Sequence, residues 1–408
     1  MSRLIFLYGF WYIPLIGFYS GTFFIMIIGI PKELRSGETR IASTPESIKK
    51  FCEMGIQVFV ESGAGLGAFI SDQSLSDAGA IMKDSAIEIY SQSDVILKVQ
   101  RPLEAGEGLV DEMALLREGV ILVGLLSPFL HPNQVVDYAK RNVTAFAMEL
   151  IPRISRAQSM DVLSSQSNIA GYKAVIDSAQ IYRRIFPMMM TAAGTVAPAK
   201  VVVLGAGVAG LQAIATARRL GAAVSAFDVR PGVKEQVESL GAKFIEVEKD
   251  KISESETEGG YAKEMEEDYA RRQREVLHET LKNQDICITT AQIPGKKAPI
   301  LITKDMVSDM KAGSVIADLA VETGGNCDLS EPDKVIDIDG VTIIGHTNWP
   351  ALVPSDTSSL YGRNLVNLMK LMIDEENKTL SIDWDDEIIE GALLTRNKAI
   401  VNSALLEV

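Results

Sequence analysis

A chain of 408 residues exceeds what one hydrophobic core usually organises, so two domains are the expectation, and 47% apolar content is enough to fill both. The formal net charge of −14 argues against a nucleic-acid or anionic-membrane surface, since either calls for a basic patch. Cys52, Cys287 and Cys327 are scattered without metal-ligand spacing; they read as small buried apolar residues in a reducing compartment, and no metal site is expected.

In chain order, residues 1–25 stand apart. Leu4 to Ile25 carries no charge and approaches the length of a membrane span or an uncleaved signal. Only Arg3 supplies a positive flank, Pro14 interrupts any helix, and no convincing cleavage site precedes the globular pattern that begins at Met26. Three readings stand: an over-extended start with Met26 as the true first residue, a hydrophobic anchor, or a secretory signal.

From Met26 onward, apolar runs at Ile27 to Ile30, Val58 to Val60, Val95 to Val99, Val120 to Leu126 and Thr144 to Leu150 read as strands, with helical patterns between them. Such alternation predicts a parallel sheet covered by helices on both faces. Gly63-Ala64-Gly65-Leu66-Gly67 follows a strand without a clean helix behind it, so it reads as a plain turn. A connecting helix is predicted over Ser164 to Met190, and a comparable apolar helix at Leu360 to Ile373 carries the chain back. Further strands are predicted at Val201 to Leu204, Ala222 to Phe227, Phe244 to Val247, Ile286 to Thr290, Ser314 to Leu319, Val341 to Gly345 and, last, Thr379 to Trp384. The expected fold is α/β, with two Rossmann-like doubly wound parallel-sheet domains linked by long helices. Residues 26–163 with 353–408 form the first, discontinuous domain; residues 164–352 form the dinucleotide-binding one. The cleft between them is the natural site.

The most specific local signal is Lys200 to Arg230. The run Val201 to Leu204 ends at Gly205-Ala206-Gly207-Val208-Ala209-Gly210, a helical pattern follows, and a second apolar run stops at Asp228. In a dinucleotide fingerprint Gly205 allows the tight turn, Gly207 lets backbone approach the pyrophosphate, and Gly210 lets helix pack closely on strand. Asp228 is placed to accept from an adenosine ribose, which favours NAD(H) over a 2′-phosphorylated dinucleotide. Arg230 tempers that choice, because an arginine there suits a 2′-phosphate. The bland alternative is a mere tight βαβ turn.

Charge concentrates over Glu246 to Asn283, mostly as a solvated helix laced with i,i+4 pairs. Gly259 and Gly260 ahead of Tyr261 allow a hinge, and the segment is expected to close over bound cofactor. Acid–base groups are few: His131, His278 and His346 are isolated, and a lone histidine is more often structural than catalytic. The unusual polar patch is Arg153 to Asn168, leaving the C-terminal edge of the first sheet, where open α/β sheets bind ligands. Arg153, Gln158, Asp161 and Ser164 suit a carboxamide and ribose hydroxyls, yet none is a good proton carrier near neutral pH. A hydride transfer without general acid or base fits a second reactant that needs no proton, such as another nicotinamide. The competing reading has Ser164 to Asn168 capping the long helix while Arg153 pairs with Asp161.

From Met26 to near the C-terminus the sequence resembles the NAD(H)-binding alpha-type subunit of proton-translocating NAD(P) transhydrogenase, in its split form. The resemblance rests on Gly29-Ile30-Pro31-Lys32-Glu33, Glu38-Thr39-Arg40, Arg153 to Asn168, Pro187 to Thr195, Gly205 to Gly210, Asp228-Val229-Arg230, Gly259 to Met265, Thr289 to Gly295 and Gly345-His346-Thr347-Asn348. It implies a peripheral homodimer on the cytoplasmic side of the inner membrane, docked on an NADP(H)-binding beta-type subunit and membrane-spanning subunits. Hydride would pass directly between the two nicotinamides, coupled to proton translocation. The resemblance further implies that Arg153, Ser159, Met160, Asp161 and Ser164 hold the nicotinamide end while Gln158 reaches toward the NADP(H) ribose. Gly205, Gly207, Val208, Gly210, Asp228, Val229, Arg230, Gly260, Tyr261, Gln273 and Gln292 would line the rest, with a mobile loop closing around Tyr261. Catalysis by Gln158, Arg153 and Asp161 would be proximity and orientation. The leader at residues 1–25 is a departure from the family.

Two other classes remain. Alanine dehydrogenase shares the fold family, and Lys98 and Arg40 fit its substrate-binding pair, but Ser127 replaces the histidine wanted after Val120 to Leu126, and Glu322 stands in place of an aspartate. A non-catalytic NAD-binding protein is the third reading.

Overall fold

The first sheet grows from strands so apolar that both of their faces must be covered. The computed structural model describes residues 26–247, 260–292, 295–374 and 376–406; the leader and Gly259 lie outside them. Strands β1 (Ile27–Ile30), β2 (Gln57–Glu61), β3 (Ile81–Lys83), β4 (Val95–Gln100), β5 (Ile121–Leu125) and β6 (Thr144–Ala147) pair in parallel in the order 3-2-1-4-5-6. Successive residues of β4 enter opposite cores: Val95, Leu97 and Val99 pack on one face, Ile96 on the other, all fully buried. That order reverses direction between β1 and β4, which is where such sheets bind ligands.

Asp161 starts the connecting helix, Val162–Ile181, by accepting the Ser164 N–H. The helix stops nine residues short of the expected Met190. Tyr182 turns extended, is buried against the edge of the Phe186 ring in the second core, and Pro187 disfavours helix for the residue before it. In place of the last turns stands an exposed hairpin, β7 (Met189–Thr191) and β8 (Gly194–Val196).

The second sheet takes β9 (Lys200–Leu204), β10 (Ala223–Phe227), β11 (Lys243–Phe244), β12 (Ile286–Thr289), β13 (Val315–Asp318), β14 (Lys334–Ile338) and β15 (Val341–Gly345). Its order is β11-β10-β9-β12-β13-β15-β14, parallel except for the edge strand β14. Trp349, nearly fully buried, anchors the exit by donating from Nε1 to the Asp318 carbonyl at 3.3 Å. The return helix is Pro354–Lys370, opened by a proline that needs no N–H there.

The expected last strand, Thr379 to Trp384, is a correction. Only β17 (Thr379–Leu380) is extended, pairing with β16 (Ile373–Asp374) in a separate ribbon. The first sheet is instead completed by β18 (Leu393–Arg396), antiparallel to β6, with β19 (Ala399–Ile400) outside it. Ile382 and Trp384 alternate because they pack on the core, Trp384 lying stacked 6.5 Å from Phe146 and under the Arg396 guanidinium. Two more predicted runs are shorter than expected: β6 gives way to a 3-10 turn at Met148, and β11 ends at Phe244. Gly63 to Gly67 is a turn, as expected, leading into a 3-10 helix at Leu66–Ala68. Cys287 and Cys327 are buried free thiols, while Cys52 is only half-buried. Among the described residues no helix is long and apolar enough to cross a membrane, and no cluster of metal-ligating side chains occurs.

Candidate functional site

β9 delivers the chain to the glycine turn. Gly205 has φ +100°, open to glycine at little cost, and a Cβ there would meet Thr290 Oγ1 at 2.7 Å. Thr290 Oγ1 donates to the Gly205 carbonyl at 2.9 Å, pinning the turn to the end of β12. A Cβ on Gly210 would stand 1.8 Å from the Gly205 carbonyl oxygen, so helix Val208–Arg219 lies directly on the turn. A Cβ on Gly207, by contrast, would have nothing within 4 Å. That space lies at the first N–H groups of the helix, which lack intrahelical acceptors and favour an anion. The residues present therefore fit a pyrophosphate. Val208 and Val229 are exposed at the same mouth.

Asp228, at the end of β10, has a 5% exposed side chain, and both its oxygens are engaged. Oδ2 accepts from Ala206 N at 2.7 Å and Arg230 Nη2 at 2.9 Å; Oδ1 accepts from Arg230 N at 2.8 Å and Nε at 3.0 Å. Burial works against its charge, but Arg230 and the backbone N–H groups more than offset it and hold the carboxyl below its usual range. Arg230 is thus paired with the carboxylate, with its side chain still 60% exposed. Opposite, the fully buried Asp318 accepts from Thr289 Oγ1, Ser330 Oγ and the N–H groups of Ala320, Asn326 and Cys327. Asn326 in turn holds both backbone groups of Ala291, and Gln292 Nε2 donates to the Leu319 carbonyl at 3.0 Å. Sequence reasoning missed this brace; its one signal was an acidic residue ending an apolar strand.

The polar patch runs through a 3-10 helix, Ser155–Met160, into the connecting helix. Asp161 takes Ser164 N at 2.8 Å and Ser164 Oγ at 2.5 Å, so the capping half of the bland reading is present. The pairing half is not: Arg153 is exposed and makes no ion pair among the described residues, and Arg156 instead pairs with Asp386 and Glu387. Gln158 is exposed with its amide free of protein partners among the described residues. Ser159 is exposed too, its carbonyl held by Asn364 and Asn367, whereas the Met160 side chain belongs to the first core and leaves only backbone to present. A Cβ on Gly171 would meet the Ala209 carbonyl at 2.0 Å, so the connecting helix lies against the first turn of the fingerprint helix. Helical rise puts Asp161 roughly 15 Å from that crossing, so the patch and the glycine turn are spaced along one helix. Gly260 and Tyr261 open the helix Gly260–Leu281; the side chains of its first turns lie outside the described residues, and Gln273 further along is half-buried. His278 bonds to Asp309 and His346 lies edge-on to Trp349, both structural roles.

Two buried acid–base clusters lie at the C-terminal edge of the first sheet. Lys98 is fully buried between Glu33 at 3.3 Å and Glu112 at 2.7 Å, and Tyr90 also donates to Glu112. Burial pushes the Glu33 carboxyl up to about 7 even though Lys98 opposes the shift. Arg40 is paired with Glu38 nearby, their side chains 3% and 0% exposed.

Glu149, at the end of β6, accepts the Ser127 N–H through Oε1, while Oε2 is sealed from solvent without a partner among the described residues. Burial raises its pKa from 4.5 to about 7. The folded chain therefore keeps a proton that the unfolded chain has released, and stability conferred by the neutral acid is lost as pH rises from about 4.5 through 7. Glu149→Gln, neutral throughout, escapes that loss. Relative to the parent chain, it should gain stability by on the order of 3 kcal/mol between pH 4.5 and 8 in urea titrations. A difference independent of pH would mean that Glu149 is ionised in the fold.

Comparisons with known proteins bear on the family and the fold. The alanine dehydrogenase/PNT N-terminal domain matches residues 29–170 and the corresponding C-terminal domain matches residues 174–403. The first part of NAD(P) transhydrogenase subunit alpha of Rhodospirillum rubrum is 56% identical over 380 residues, 93% of this chain and 99% of the relative. NAD(P) transhydrogenase subunit alpha of Haemophilus influenzae is 45% identical over 94% of this chain and 73% of its own length. Alanine dehydrogenase of Mycolicibacterium smegmatis is 28% identical over 85% of this chain and 87% of its own. Among solved structures, a transhydrogenase from Sinorhizobium meliloti aligns with a TM-score of 0.81 at 46% identity, covering 92% of this chain and 100% of that one. An L-alanine dehydrogenase aligns at 0.76 and 26% identity, over 94% and 98%.

Proposed function

The chain belongs to the alanine dehydrogenase/PNT family, among the NAD(P) transhydrogenase alpha subunits, and from that premise we propose that it binds NAD(H) for direct hydride exchange with NADP(H) held by a partner subunit. The observation that carries the reading is the connecting helix, which has the Gln158 patch at its start and crosses the fingerprint helix at Gly171. Bound NAD(H) supplies the hydride donor or acceptor. The protein's role is placement: Gly207 leaves room for the pyrophosphate, Asp228 receives the adenosine ribose by exchanging its Arg230 side-chain hydrogen bonds for ribose hydroxyls, and Arg153, Asp161 and Ser164 hold the nicotinamide end. Backbone of Ser159 and Met160, with Val208, Val229, Arg230, Gly260, Tyr261, Gln273 and Gln292, completes the wall. Gln158, exposed and unbonded among the described residues, is free to meet the second dinucleotide and align the two rings. We assign the chain a peripheral place on the cytoplasmic side of the inner membrane, coupled through a beta-type subunit and membrane-spanning chains to proton translocation. The names of its relatives as alpha subunits support that assembly.

We assign homodimer contact to the β7–β8 hairpin. Phe186 to Ala199 carries no charge in a chain of net −14, and Met188, Met190 and Val196 stand 60%, 78% and 38% exposed. A two-stranded ribbon alone in water is marginal, and a charge-free strip is where two acidic copies meet with least repulsion. Met189→Asp with Met190→Asp should shift the chain to monomer in sedimentation velocity with little change in Tm. A persisting dimer would place the contact elsewhere.

The function test starts the chain at Met26 and follows reduction of an acetylpyridine NAD analogue by NADH, with and without the NADP(H)-loaded partner domain. Turnover that requires the partner supports the proposal. Turnover of pyruvate, ammonia and NADH by the chain alone would favour alanine dehydrogenase. Against that second reading stand Lys98, locked between two carboxylates, and Ser127 in the histidine's place.

A further inference from the structure

We propose that Asn348 is a positioning residue for hydride transfer, tying the second sheet to the Arg40–Glu38 pair and, through Gln166, to the helix that carries Asp161 and Ser164. The inference rests on the function proposed above. Asn348 follows β15 and precedes the 3-10 turn Trp349–Leu352 by which the chain leaves the second sheet. Both ends of its amide are used: Oδ1 accepts from Arg40 Nη2 at 3.3 Å, and Nδ2 donates to Glu38 Oε2 at 2.9 Å. Glu38 and Arg40 lie in the loop after β1 and close on one another at 2.6 and 2.8 Å. Arg40 Nη1 then donates to Gln166 Oε1 at 2.7 Å, and Gln166 Nε2 donates to the Thr357 carbonyl of the return helix at 3.1 Å.

Both covalent crossings between the two sheets thus meet at one buried ion pair: the connecting helix through Gln166, and the returning chain through Asn348 directly and through Thr357 by way of Gln166. Arg40 bridges them because its planar fork presents separate N–H groups to three acceptors. Asn348 adds no charge. Without it Glu38 Oε2 keeps Arg40 and Gln100, at 2.7 Å, so the pair stays neutralised and the fold is retained. What is lost is the register between the fingerprint turn and the Gln158 patch, which ride on opposite sides of the link. Hydride transfer is sensitive to such a shift: a misplacement of about 1 Å costs on the order of 100-fold.

The test is Asn348→Leu in the full chain with its NADP(H)-loaded partner. The kcat for analogue reduction should fall roughly 10- to 100-fold, while NADH Kd changes less than about threefold, because the fingerprint that grips the pyrophosphate lies within the second unit and only the nicotinamide end reaches across the link. Gln166→Leu should give a similar loss, and the double variant should be no slower than either alone. A second readout does not need turnover. Nitroxides on Cys52, in the first unit, and on Glu238→Cys, in the second, should show a distance distribution broader in Asn348→Leu than in the parent. Parent-like turnover with a parent-like distribution overturns the proposal, as does a rate loss matched by an equal loss of NADH affinity. If the parent chain shows no partner-dependent turnover, the functional reading fails instead, and the distance distribution alone decides whether Asn348 holds the two units in register.

Discussion

Gly210→Ala should raise the NADH dissociation constant on the order of 100-fold and lower Tm by several degrees. The added methyl would sit 1.8 Å from the Gly205 carbonyl oxygen, and that neighbour is backbone, which no rotamer change can clear. The fingerprint helix must therefore back away from β9, at an overpacking cost of about 1–3 kcal/mol, and its first N–H groups move with it. Gly207→Ala separates the two effects. Its methyl meets no protein atom within 4 Å, so Tm should stay at the parent value while NADH binding weakens. Fluorescence titration and calorimetry read both quantities on both variants. Parent-like NADH affinity in Gly207→Ala would mean that the open space there is not where the pyrophosphate lies.

Gln158→Asn should slow hydride transfer about 100-fold while leaving NADH affinity within about twofold and Tm unchanged. The Gln158 amide makes no hydrogen bond to the described residues, so shortening it by one methylene takes nothing from the fold. If its work is to reach the second dinucleotide, the loss falls on kcat with the partner present and not on binding of the first. Single-turnover rates with the NADP(H)-loaded partner, set beside NADH titrations of the chain alone, make the comparison. Equal impairment of both would make Gln158 an ordinary binding residue.

The strands legible in the sequence were those buried on both faces, where pattern and burial coincide. Val95 to Val99 reads as a strand because neighbouring residues alternate between two dry cores. β18 was not legible, because Ile388, Ile389, Ala392 and Leu393 continue one apolar helical pattern and Gly391 is a weak local mark of the break at Leu393. The hairpin was hidden for a related reason: three consecutive methionines extend a helical pattern as readily as they form an exposed ribbon. In the site, Gly205, Gly210 and Asp228 declare themselves because their partners lie within about one βαβ unit. The Arg40–Asn348 contact spans 308 positions, and nothing in either segment names the other. Asp161 was legible in both of its readings, as a helix cap and as a ligand-facing acid, and the cap seen in the structure leaves the second open.

The completion of the first sheet by β18 has a consequence for synthesis. β6 leaves the ribosome with its outer edge unpaired, and the strand that covers it emerges roughly 250 residues later, on the order of ten seconds to a minute at about 5–20 residues per second. During that interval the second sheet, continuous in the chain, has everything it needs to form, while the older half of the nascent protein exposes an open edge beside apolar surface. The order of maturation is therefore inverted with respect to the order of translation, and the half made first is the one whose open edge waits for the last segment to arrive.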